Sequence, residues 1–61
     1  MIVISRKQVD IARAIDRARR SHTDPQKLLG VYTVAHALAD DLCTAQERLH
    51  FLLACGVPFV L

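Results

Sequence analysis

The chain reads as an all-α fold, a compact three-helix unit occupying residues 1–61 as a single small helical domain. Three observations carry that reading. Two Ser/Thr-x-x-Gln/Glu boxes, Ser5 to Gln8 and Thr44 to Glu47, each stand directly ahead of an apolar-periodic stretch, the pattern of a reciprocally capped helix start. Asp24-Pro25 supplies a third start, with a cap followed by a proline at the first helical position, where the missing N–H is no loss. Gly56 and Pro58 supply a stop near the end of the chain, because glycine accepts the left-handed cap and proline forbids continuation.

The first helix follows Ser5 and runs to the Arg-Arg-Ser-His segment at 19–22, where positive charge suits a helix C-terminus. Ile11, Ile15, Ala18 and His22 recur at helical spacing on one face, and Arg6, Arg13, Arg17 and Arg20 run along the opposite one. The second helix spans 25–42. Leu28, Val31, Tyr32, Ala35, Leu38, Ala39 and Leu42 form its apolar stripe, while Gly30, Thr33, Ala37, Asp40 and Asp41 face away. Gly30 leaves two readings open, one continuous helix or a turn over 25–29 followed by a shorter helix capped by Thr33. The third helix runs from Ala45 to Cys55, with Ala45, Leu49, Leu52 and Leu53 as its inner face. Arg48, Phe51 and Cys55 fall on a second stripe, which leaves two readings: a helix buried on two sides within the monomer, or a subunit interface, with Phe51, Cys55, Phe59 and Leu61 as the expected oligomer interface. The end segments Met-Ile-Val-Ile-Ser and Pro-Phe-Val-Leu leave room for short terminal strands.

Size and composition favour association. A 61-residue chain buries only about 60% of the surface its unfolded form exposes, and a core this small rarely supplies more than about 3–5 kcal/mol. The apolar fraction of 52% is more than so small a core easily hides, so the expected partner is a second copy, as a homodimer or higher oligomer. Cys43 and Cys55 are twelve positions apart, about 18 Å at 1.5 Å per residue if the segment between them is helical, beyond the roughly 7 Å Cα limit for a disulfide. Two free thiols indicate a reducing, cytoplasmic setting. The apolar run at 51–61 is about half a bilayer span and contains Gly56 and Pro58, so no transmembrane segment is expected. Nor does the opening segment have the charged start of a signal peptide. Charge is polarised: residues 1–30 hold seven Lys/Arg against three Asp, a net +4, and residues 31–61 hold one Arg against three acids, a net −2. The basic front half suits nucleic acid or an acidic protein surface.

No enzyme is expected, and no cofactor. His22, His36 and His50 are fourteen residues apart, but the chain turns between them, and no paired Cys or His spacing of a zinc site exists. Asp40 and Asp41 are adjacent, so their side chains point about 100° apart on a helix and read as a solvated face. The arginines of the first helix allow two readings. They lie along nucleic-acid phosphates, with salt-dependent affinity, or they form a salt-bridged solvent face with Asp10 and Asp16.

Residues 33–57, TVAHALADDLCTAQERLHFLLACGV, resemble the helix-turn-helix segment of bacterial regulators. Thr33-Val34, Leu38-Ala39, Leu42, Thr44, Leu49, Leu52-Leu53 and Gly56-Val57 stand where such segments place their start, core, turn and closing glycine. The resemblance implies a helix-turn-helix-like core whose last helix reads DNA through Gln46, Arg48 and His50, supported by Arg6, Arg13, Arg17 and Arg20. Against the usual pattern, the turn is about one residue short and Glu47 repels phosphate. The expected function is therefore a small dimeric regulator binding nucleic acid. The alternative is a homo-oligomeric protein-interaction module that docks on a partner protein without binding DNA.

Overall fold

In the computed structural model, residues 4–60 are described. They form three helices in order, α1 (Arg6–Ser21), α2 (Pro25–Leu42) and α3 (Ala45–Cys55), with no strand among the described residues. The strand reading at the N-terminal end falls largely outside those residues, as does Leu61. At the other end, residues 57–60 lie back on the bundle without strand pairing.

Each helix begins where its capping chemistry sits. Both boxes close: the Ser5 hydroxyl accepts from the Gln8 amide (3.2 Å) while Gln8 accepts from the Ser5 amide (2.7 Å), and Thr44 and Glu47 repeat the exchange. The Asp24 carboxylate caps α2 through the Gln26 amide at 2.9 Å. Gly30 does not divide α2. The helix is continuous, and the Thr33 hydroxyl bonds back to the Leu29 carbonyl within it (2.9 Å) instead of capping a new start. Gly56 ends α3 at φ +73°, with the Gly56 amide reaching the Leu53 carbonyl and the Val57 amide reaching that of Leu52. That pair of bonds is the Schellman closure, which uses the last carbonyls of the helix.

The core joins Ala12 and Ile15 of α1, Ala35 and Ala39 of α2, Phe51, Leu52 and Cys55 of α3, and Val57 just beyond it. Alanines make up most of the contribution of the first two helices, with Ile15 beside them, and Phe51 and Leu52 bring the bulk from the third. This corrects the expected facing of α3. Phe51 and Cys55 are fully buried, whereas Leu49 and Leu53 are 55% and 68% exposed. Positions 49/53 and 51/55 are both apolar i, i+4 pairs, so periodicity within the helix cannot choose between them. The choice is made by burial against two neighbours, and the stripe carrying the aromatic ring goes inside. Phe51 and Cys55 are therefore core residues and not an exposed oligomer interface; Phe59 remains half-exposed.

Candidate interaction surfaces

Three junctions fix the surfaces in place. At one end of the bundle Gln8, almost fully buried, caps α1 and also donates from Nε2 to the Leu42 carbonyl at the end of α2 (2.7 Å), with Glu47 Oε1 of α3 at 3.5 Å. The Thr44 amide bonded to Glu47 holds that carboxyl below its ordinary pKa, with the Gln8 amide adding to the effect. At the other end Arg19 lies half-buried over the last turn of α3. It donates to the Cys55 carbonyl (3.3 Å) and to Asp16 (2.6 Å), placing a cation where the helix dipole is negative. The left-handed backbone at φ +73° is what favours glycine at 56; a Cβ there would also stand 2.7 Å from the Arg19 guanidinium, the movable end of a flexible side chain that would have to shift. The Arg19 hydrogen bond is the first cause holding Asp16 below its usual carboxylate range, and Arg20 adds to it.

The third junction runs along α2 and α3. Arg48 pairs with Asp40 and donates to His36 Nδ1 at 3.0 Å, while His36 Nε2 sits 2.7 Å from the Pro58 carbonyl. A guanidinium only donates and a carbonyl only accepts. The imidazole therefore carries its proton on Nε2 and ties the segment after α3 back to α2. Arg48 is thus directed at α2 and is not among the side chains that α3 presents to solvent.

The other expected site residues are placed as follows. Arg6, Arg13, Arg17 and Arg20 are all exposed on α1. Arg6 is paired with Asp10 (3.1 Å) and Arg20 with Asp16 (3.2 Å), whereas Arg13 and Arg17 make no ion pair among the described residues. On α3, Gln46 and His50 are exposed, but they share that surface with Leu49 and Leu53, and Phe59 closes over its edge. The turn between α2 and α3 is two residues, Cys43 and Thr44. The outward face of α3 is thus mainly apolar, with few hydrogen-bonding groups for base edges.

Neither cysteine is poised for chemistry. Burial raises the Cys43 thiol, and burial together with the Asp16 charge pushes Cys55 up to about 11, so both stay protonated and un-nucleophilic near neutrality. Both are free thiols. Among the described residues no three His, Cys, Asp or Glu side chains gather at metal-binding range, and no helix is long and apolar enough to cross a membrane.

One concavity among the described residues is a feature that periodicity alone did not indicate. An open groove of about 750 Å³ runs between α1 and α2, lined by Ile11, Ala14, Ile15 and Ala18 of α1 and by Gly30, Val31, Val34 and Leu38 of α2. His22 and Lys27 stand at its hairpin end. The signals that could have located it are a glycine inside a helical pattern and an apolar stripe wide enough to leave Val34 54% exposed. No protein-family model, curated protein or solved structure matches this chain.

Proposed function

We propose that this chain is a self-associating protein-interaction module whose apolar surface is covered by a second copy of itself. One observation carries the reading: the groove between α1 and α2 is lined almost wholly by apolar side chains and left open to solvent. For so small a molecule, contiguous apolar surface of this kind marks an interaction site, and oligomerisation is a usual source of the stability that a short chain lacks. Sedimentation equilibrium over a concentration series tests it. The expected result is a mass approaching twice 6.8 kDa as concentration rises through the micromolar range. A mass that stays at the monomer value at hundreds of micromolar refutes it.

A second reading, nucleic-acid binding, is favoured by Arg13 and Arg17, which are exposed and without ion pairs among the described residues. It predicts binding to random duplex DNA that weakens steeply with salt and is lost in Arg13→Ala/Arg17→Ala. Absence of binding at low salt eliminates it and leaves the first reading standing.

A further inference from the structure

We infer that the second copy is seated groove to groove about a two-fold axis passing beside Val34, so that the two α2 helices lie antiparallel and Lys27 of each copy meets Asp41 of the other. The inference rests on the self-association proposed above and specifies its surface and register.

The register comes from α2 itself. Positions 27, 30, 34, 38 and 41 are spaced by three and four residues, so they lie on one helix face. Val34 is at the middle of that series. Lys27 and Asp41 are each seven residues from it; Gly30 and Leu38 are each four. An antiparallel two-fold pairing centred on Val34 sets each residue opposite the one equally far on the other side. Lys27 then faces the partner's Asp41, and Gly30 faces the partner's Leu38. Both pairings are chemically complementary, a cation with an anion and an absent side chain with a bulky one.

Leu38 also packs in part against its own core; the other four residues of the series lack an equivalent role within their own chain. Lys27 and Asp41 are exposed, and neither makes an ion pair among the described residues. Gly30 lies inside α2, where glycine is destabilising relative to alanine. A Cβ added there would meet nothing within 4 Å, so the packing of the monomer does not require the glycine. An incoming Leu38 from a partner would require it. Val34, at the centre of the series, is 54% exposed with a β-branched apolar side chain.

The size is adequate for a modest dimer. The hairpin face is about 27 Å long at 1.5 Å per residue over α2 and two helices wide at about 8–10 Å between axes. That is about 430–540 Å², below the roughly 800 Å² per partner typical of stable interfaces, and predicts a weak, concentration-dependent association. The competing arrangement inserts the Leu49–Leu53–Phe59 surface of one copy into the groove of the next. It leaves Lys27 and Asp41 unpaired, and being heterologous it continues into larger assemblies unless a ring closes.

Sedimentation velocity on the full chain, with circular dichroism to verify helix content, tests the register. Lys27→Glu and Asp41→Lys each set like charges together twice per dimer, and each is expected to weaken dimerisation about tenfold. Mixed one to one, the two variants form a heterodimer in which the introduced glutamate faces the introduced lysine and the native Asp41 faces the native Lys27. The mixture is expected to regain the wild-type dimer mass at concentrations where each variant alone is monomeric. Val34→Asp is expected to abolish the dimer with helix content unchanged. A wild-type dimer that survives Val34→Asp, or a mixture no tighter than its components, overturns the register while leaving self-association intact. Species larger than dimers that Leu53→Asp disperses also overturn it, in favour of the heterologous arrangement. A wild-type chain that is monomeric throughout overturns both proposals.

Discussion

Truncating Gln8 to alanine removes a side chain that touches the start of α1, the end of α2 and the start of α3. Two well-formed bonds go, the Ser5 amide to Oε1 and Nε2 to the Leu42 carbonyl, both 2.7 Å, together with the 3.5 Å approach to Glu47. Loss of half a capping box costs about 1 kcal/mol. Leaving the Leu42 carbonyl without its donor costs about 1–3 kcal/mol to the extent that water cannot replace it. The sum, about 2–4 kcal/mol, is comparable with the 3–5 kcal/mol that a core of this size supplies. Urea unfolding followed by far-UV circular dichroism, at one protein concentration for both chains, should show the midpoint collapsing toward zero denaturant. Gln8→Glu separates the two contributions. It keeps the acceptor for Ser5 but turns the donor into a carboxylate facing the Leu42 oxygen and Glu47, so at neutral pH it should be at least as damaging as alanine. A loss below about 0.5 kcal/mol for Gln8→Ala, or a harmless Gln8→Glu, would show that Gln8 is only a cap and that the three-way junction carries no weight.

Two further outcomes follow from burial. Phe51→Ala should cost about 3–5 kcal/mol and leave the chain largely unfolded, whereas Leu53→Ala, on the exposed stripe, should stay within about 0.5 kcal/mol of the parent; thermal denaturation of the pair checks which face of α3 is inside. For Cys55, the raised thiol means that the native state holds its proton after the unfolded chain has released it. Its contribution is therefore intact below about pH 9 and is lost as pH rises toward about 11, about 2–3 kcal/mol over that window. The stability–pH slope there should be shallower in Cys55→Ala, and an equal slope in both chains would contradict the assignment.

The helix boundaries were legible because they are written in local chemistry. Ser5/Gln8, Thr44/Glu47, Asp24-Pro25 and Gly56 act within four residues of themselves, and the bonds they make are those that their spacing implies. The facing of α3 was not legible, because Leu49/Leu53 and Phe51/Cys55 are equivalent under a helical period. Only the packing of α1 and α2 distinguishes them. Tertiary partners of polar residues were hidden for the same reason. Nothing near Gln8 points to the Leu42 carbonyl thirty-four residues away, nor does anything near Arg19 point to the Cys55 carbonyl. The bond between His36 and the Pro58 carbonyl likewise depends on where the chain goes after Gly56. The arginine face of α1 was readable as exposed, while the division into paired Arg6 and Arg20 and unpaired Arg13 and Arg17 required side-chain geometry.

The apolar excess of the sequence has a geometric origin in the number of helices. An antiparallel pair such as α1 and α2 presents two broad sides, and a single third helix covers one. Here α3 has 11 residues against 16 and 18 for its neighbours, so it spans only part of even that side. The alanines at 12, 35 and 39 lie toward α3, with Ile15 at the edge between core and groove; Ile11, Val31, Val34 and Leu38 line the opposite opening. Ile11, Val31 and Leu38 also pack in part against the monomer's own core, whereas Val34 is 54% exposed and is not among the residues packed there. The apolar character of that second side, the central Val34 and the glycine that no neighbour in the monomer requires are together accounted for by a fourth helical layer supplied from outside the chain. The two-fold copy proposed above would supply that layer and meet Lys27 and Asp41, neither of them ion-paired among the described residues, with the opposite charge.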